Sequence, residues 1–117
     1  MKLVEIRTYR LQPGTRQPFL EAFAEALPLL RESGMDVVAF GRSDHEHESF
    51  HLVRAYRDRA HLEAQQHAFY GSDRWRQGPR EALVTCIADY LNTLLWLPDE
   101  SVDALRDHNA PATGTIV

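Results

Sequence analysis

The sequence predicts an α+β domain with the element order strand, helix, strand, strand, helix, strand. Three observations carry that reading. An alternating strand pattern at residues 3–9 passes through a Pro13-Gly14 turn into the strongest helical stripe in the chain. Two further strand patterns, "MDVVAFGRS" and "ESFHLVRAY", flank one short polar connection, for which an antiparallel hairpin is the economical arrangement. A second helical segment then leads into a last apolar stretch that stops at Pro98.

In the first strand, "LVEIRTY", Val4, Ile6 and Thr8 share one face, and Leu3, Glu5, Arg7 and Tyr9 share the other. The former face is apolar enough for a helix to cover, whereas the latter mixes charged, aromatic and aliphatic groups. Thr15 is placed as the N-cap of the helix that follows the turn. Within that helix Phe19, Ala22, Phe23, Ala26, Leu27 and Leu30 form one continuous apolar stripe. Pro28 should bend its last turns, and Ser33-Gly34 should end it in the left-handed manner.

The second helix, "DRAHLEAQQHAFY", starts from Asp58 as N-cap and carries Leu62, Gln65 or Gln66, and Phe69 at helical spacing, a weak stripe that suits a surface position. Another helical piece begins at Ser72 or Asp73 and is interrupted at Gly78-Pro79. "CIADYLNTLLWLP" fits a helix through Leu83, Ile87, Tyr90, Leu91 and Leu94, and a strand through Asp89, Leu91, Thr93, Leu95 and Leu97. A fourth strand from about Ala88 to Leu97 completes a sheet and is preferred. The domain is therefore set at residues 1–98, with 99–117 as a polar C-terminal tail holding one short helix at Ser101 to Asp107.

This order is the ferredoxin-like one, with helices on one face of a four-stranded antiparallel sheet. The other face is expected to carry Leu3, Tyr9 and some of Phe40, Phe50, Leu52 or Tyr56, too apolar to leave wet. A chain of 117 residues is one domain with a modest core, so pairing with a second copy is the expected remedy.

Composition narrows the class. Apolar residues at 44% with 26% charged describe a globular chain and not a disordered one. Twelve arginines are scattered and outnumbered by seventeen acids, which gives no nucleic-acid footprint. No apolar run approaches the roughly eighteen residues of a membrane span. The N-terminus is charged within its first seven residues and lacks the apolar core of a signal peptide, so a cytoplasmic protein without nucleic-acid or membrane partners is expected. The lone cysteine, Cys86, reads as a small core residue.

"VEIRTYRLQPGT" resembles the opening of the NIPSNAP family, which reads Glu-x-Arg-x-Tyr followed by a Pro-Gly turn. "HLVRAYRDRAHLEA" resembles that family's third strand and second helix, and "GSDRWRQ" its small-Asp-x-x-Trp helix. The similarity runs from about Val4 to Pro98. It implies a dimeric α/β-barrel in which two four-stranded sheets face each other around a central cavity. In that superfamily some members are cofactor-independent monooxygenases, others isomerases or cyclases, and some bind haem; many NIPSNAP-like proteins have no assigned activity. The family's polar first-strand positions match at Glu5, Arg7 and Tyr9. On the third strand Tyr56 is kept, but Arg54 stands where the family often has an aromatic, a departure that favours an anionic or carbonyl-bearing ligand.

The candidate site follows from these positions. Arg7 and Arg54 would stabilise an oxyanion or carboxylate, Glu5 would abstract or hold a proton, and Tyr9 and Tyr56 would orient a ring; Phe40 and His51 complete the expected ligand-binding set. Glu5 with Arg7 equally suits a structural ion pair, and each tyrosine equally suits packing. His45, His47 and His51 would share a face in an extended strand. However, the first two fall in the polar connection, where Asp44, Glu46 and Glu48 interleave, so a charged hairpin tip is preferred to a metal site. Trp75 and Trp96 read as core or dimer contacts, and His67 as exposed. The leading expectation is a small-molecule-binding protein, in catalytic form an enzyme acting without metal or cofactor on an aromatic or polyketide-like compound. Its rivals are a non-catalytic dimeric scaffold and haem binding through His51 or His67.

Overall fold

The alternating N-terminal run forms β1 (Lys2–Leu11), and Pro13-Gly14 turns the chain into α1 (Arg16–Glu32) in a computed structural model that describes residues 1–113. The remaining elements are β2 (Asp36–Arg42), β3 (Ser49–Tyr56), α2 (Arg59–Tyr70), the short α3 (Asp73–Arg76) and α4 (Arg80–Val84), β4 (Ile87–Leu97) and α5 (Asp99–Thr113). All strand pairs are antiparallel, and the order across the sheet is β2-β3-β1-β4. This is the ferredoxin-like α+β fold the sequence predicts.

Local signals act where expected, with one exception. Gly34 takes the left-handed conformation (φ +91°) that closes α1, and the Met35 N–H returns to the Leu30 carbonyl. The Asp58 carboxylate caps α2 through the His61 N–H at 2.8 Å, and Ser72 caps α3 through the Trp75 N–H. α1 runs unbroken through Pro28. Thr15 is the exception: it stands at the N-cap position but its hydroxyl donates to the Gln12 carbonyl at 2.6 Å, fastening the turn instead of accepting from the helix.

The apolar stripe of α1 lies on the sheet face built by Leu11, Phe40, Phe50 and Leu52, where Phe19, Phe23, Phe40 and Phe50 make an aromatic core with ring centroids 4.8–6.3 Å apart. Register sets which side chains share that face. Leu3 pairs with Tyr56, Glu5 with Arg54, Arg7 with Leu52 and Tyr9 with Phe50, so the odd positions of β1 point toward α1 and α2. The expectation that Val4, Ile6 and Thr8 lie under these helices, and that Glu5, Arg7 and Tyr9 face a partner, is therefore corrected. The large rings of α1 pack on the face that offers large rings.

On the opposite face Val4, Val38, Ala39, Val53 and Ala55 cluster with Val102 of α5, and Ile6, Leu97 and Leu105 pack around them. A bulge between Val37 and Ala39 turns Val38 and Ala39 both into this cluster while Val37 and Phe40 stay with α1. The segment expected as a polar tail is thus a docked helix through Thr113, longer than the Ser101–Asp107 piece, and only its last residues, 114–117, lie outside the described residues. Asp99 and Glu100 occupy its first turn, where acids complement the helix dipole. Arg106 then clasps Asp36 of β2 through two hydrogen bonds of 2.7 and 3.0 Å. Among the described residues no helix is long and apolar enough to cross a membrane.

Candidate functional site

The register that turns the odd face of β1 inward also buries charge there. Glu5 is 1% exposed and Arg54 0%. They stand opposite each other across β1 and β3: Arg54 Nε donates to Glu5 Oε1 at 2.8 Å, and Arg54 Nη2 lies 2.6 Å from the same oxygen, in ion-pair contact but off the line of a hydrogen bond. The other carboxylate oxygen, Oε2, accepts from Gln66 Nε2 at 2.9 Å, Asn92 Nδ2 at 3.1 Å and Arg7 Nη2 at 3.3 Å. A carboxylate engaged by four donors, and not among the residues that line the cavity, is poorly placed to take a substrate proton.

Arg7 is fixed from three sides. Its Nε donates to Asn92 Oδ1 at 2.8 Å, its Nη2 reaches Glu5, and its guanidinium carbon sits 4.7 Å from the centre of the Tyr90 ring. Among the described residues Nη1 makes no hydrogen bond as close as these, and Arg7 lines a cavity beside the Tyr9 hydroxyl, so a fixed cation presents a donor there. Burial works against that charge, but Tyr9, Tyr70 and Glu5 outweigh it, and the guanidinium is held above its ordinary range. Arg54 is raised likewise: burial opposes its charge, and Tyr70, Glu5 and Tyr56 more than compensate.

An open-sided cavity of about 570 Å3 lies between the sheet and α1, α2 and the α3–α4 segment of the same subunit. Its walls are apolar where Phe19, Phe23, Leu30, Leu83 and Ile87 form them, with Arg7, Tyr9, Gln66 and Tyr70 making the polar side. A second, smaller cavity of about 360 Å3 lies between the end of α1 and α2, away from this cluster. Gly78 keeps the α3–α4 wall tight, since a Cβ there would meet the Arg74 carbonyl oxygen. Trp75, expected in the core or at a dimer contact, lines the cavity, and its ring centroid is 5.3 Å from that of Tyr70.

Burial, reinforced by neighbouring Tyr70, pushes the Tyr9 hydroxyl up to about 12, although Arg7 and Arg54 pull it back. Tyr9 is therefore neutral at ordinary pH, with its hydroxyl beside the Arg7 guanidinium. Because the folded value exceeds the unfolded one near 10, the folded state holds the extra proton between pH 10 and 12. Stability from this group is fully present below pH 10 and falls by about 2–3 kcal/mol as pH rises to 12. Urea midpoints followed from pH 9 to 12 should show that fall, and Tyr9→Phe should lessen it, leaving the smaller slope of Tyr56, which burial also pushes up. An identical alkaline fall in the variant would remove Tyr9 from a desolvated position.

The remaining expected site residues divide. Arg54 and Tyr56 stand behind the cavity: Arg54 Nη1 donates to the Tyr70 hydroxyl at 2.8 Å, and the Tyr56 hydroxyl accepts from Gln66 Nε2 at 3.2 Å. Phe40 is 1% exposed within the aromatic core and does not reach the cavity. His51 points to the opposite sheet face, with Nδ1 3.2 Å from Ser43 Oγ and its pKa lowered by burial. His45 and His47 stack at 5.4 Å in the hairpin tip, and among the described residues no cluster of three metal-ligating side chains occurs. Gln66, Tyr70 and Asn92 are the site residues that the sequence does not single out.

Comparison with known proteins agrees with this fold. A family model described as NIPSNAP matches residues 4–96. A NIPSNAP family protein from Agrobacterium tumefaciens superposes with a TM-score of 0.77 at 18% identity, over 85% of this chain and 95% of that one. An uncharacterised NIPSNAP-like domain protein from Burkholderia xenovorans gives 0.76 at 17% identity, over 84% and 86%. A candidate antibiotic biosynthesis monooxygenase from Bordetella bronchiseptica gives 0.66 at 22% identity, over 83% and 97%. Among proteins of curated function none matches the sequence.

Proposed function

The chain belongs to the NIPSNAP family, and from that premise we propose that it binds one small, largely apolar molecule bearing an anionic or carbonyl oxygen in the cavity between its own sheet and helices. The observation that supports this most directly is Arg7. A partly buried guanidinium fixed by Asn92, Glu5 and Tyr90 turns toward a largely apolar cavity from its polar side. Such a donor suits a ligand oxygen carrying full or partial negative charge. The cluster of Glu5, Arg7 and Arg54 carries one net positive charge, which an anion would balance.

In catalytic form the protein would act on an enol, phenol or carbonyl compound without a metal, as a monooxygenase or isomerase. Arg7 would stabilise the oxyanion, and Tyr9 would orient the ring. Glu5, saturated with donors, holds the two arginines and does not take the proton. The likeness to the candidate monooxygenase from Bordetella bronchiseptica favours this class. The haem alternative loses ground, because neither His51 nor His67 lines the cavity.

A second copy remains part of the proposal, on the sheet face opposite to the cavity, where Leu91 of β4 is 70% exposed. The scaffold alternative has less support, since the polar cluster is internal and cannot build an interface. A thermal-shift screen of aromatic acids, phenols and quinones should give binders. Arg7→Ala should weaken the anionic ones roughly tenfold to hundredfold, the worth of a charge-assisted hydrogen bond. Equal affinity in the variant would refute the reading.

A further inference from the structure

Resting on that cavity, we propose that Tyr70 is the residue that makes the site selective for an oxyanion, a phenolate, enolate or carboxylate, over its neutral counterpart. Arg54 cannot touch a ligand: it is 0% exposed, held by Glu5, and presents Nη1 to the Tyr70 oxygen at 2.8 Å. Accepting that N–H fixes the Tyr70 oxygen toward Arg54 and turns its proton away, toward the cavity that the ring lines. The buried cation therefore acts on a ligand only through this phenol. A hydroxyl that accepts from a cation is a strengthened donor, because successive hydrogen bonds polarise one another. Arg7 Nη1 and Tyr70 Oη would then converge on one ligand oxygen, leaving Tyr9 to contact the body of the molecule.

Ionisation of a bound phenol reads the proposal directly. The charged and titratable groups at the cavity are Arg7 and Tyr9 of β1, Tyr70 of α2, Arg80 of α4, and Asp89 and Tyr90 of β4, with Arg54 of β3 behind Tyr70. Asp89 is paired with Arg10 by two hydrogen bonds of 2.6 and 3.0 Å and so does not cancel the cationic side.

The probe is 4-nitrophenol, whose phenolate absorbs in the visible, with its O-methyl ether 4-nitroanisole, which shares the ring and nitro group, as the neutral analogue. The wild type is expected to bind the phenolate in preference to the ether and to lower the pKa of the bound phenol. Tyr70→Phe should reduce that preference roughly tenfold with affinity for the ether unchanged, as expected for loss of one hydrogen bond to a charged group. Tyr70→Met, which has no N–H or O–H to donate and whose sulfur can accept weakly from Arg54, guards against a folding failure and should lose the preference equally.

A preference retained in either folded variant, while Arg7→Ala abolishes it, would overturn the role of Tyr70 and leave the cavity reading standing. No binding of either probe to the wild type would overturn both.

Discussion

Arg54→Met should destabilise the protein by about 3–5 kcal/mol, the usual consequence of removing one partner from a buried ion pair. Glu5 is 1% exposed and would keep only Gln66, Asn92 and the longer contact from Arg7. Tyr70 would lose the N–H that its oxygen accepts. A domain of this size has about 5–15 kcal/mol in total, so the shift is a large share of it. Glu5→Leu should cost a similar amount, because it leaves the Arg54 guanidinium with the Tyr70 hydroxyl and the Met35 sulfur. The double variant Glu5→Leu/Arg54→Met should be more stable than either single one, since volume is kept and no buried charge is stranded. Urea unfolding of the four proteins gives the cycle. Additive losses would mean that the two residues do not act as a pair.

That same double variant separates folding from function. With Glu5 gone, Arg7 keeps Asn92 and the Tyr90 ring but loses the carboxylate that fixes Nη2. The net charge of the cluster stays at one positive, now carried by Arg7 alone. Ligand affinity should therefore fall through the lost orientation of Arg7 and the lost Arg54 N–H on Tyr70, and not through lost net charge. The buried pair is best understood as the support that keeps one exposed donor in place.

The fold was legible because its evidence is local. The periods of β1 and α1, the glycine at residue 34 and the caps at Asp58 and Ser72 are each read within a few residues, and each appears in place. The face of the sheet was not legible for a physical reason. Glu5 and Arg7 in β1 look like groups seeking water, and only the cross-strand placement of Arg54, 49 positions away, shows that they neutralise one another in the interior. Gln66 and Tyr70 carried a faint signal, being four apart on the side of α2 that also holds Leu62. A glutamine in an apolar stripe marks a buried polar contact. Asn92 was hidden inside a segment that fits helix and strand equally well, and its meaning depends on lying opposite Arg7 and diagonal to Glu5.

Val102→Asp should cost about 3–5 kcal/mol, combining the lost burial of a valine with a carboxylate placed among apolar side chains. Val102 is 0% exposed against Val4, Val38, Val53 and Ala55, in a hollow made by the small residues Ala39 and Ala55. The sequence hides this helix because Val102 and Leu105 are the only bulky apolar residues from Asp99 to Thr113, one turn apart in a charged stretch. A narrow stripe suffices here, since the sheet supplies the rest of the apolar surface and Arg106 with Asp36 fixes the angle of approach. The paired charges are about one-third exposed, so Arg106→Ala should cost less than about 1 kcal/mol and makes the control. Helix α5 lies across the sheet from the cavity. Val102→Asp should therefore lower the urea midpoint while ligand affinity at low urea stays within about twofold of wild type, a change below 0.5 kcal/mol. A large loss of affinity in a folded variant would mean that the two faces of the sheet are coupled, and that the far face helps to shape the site.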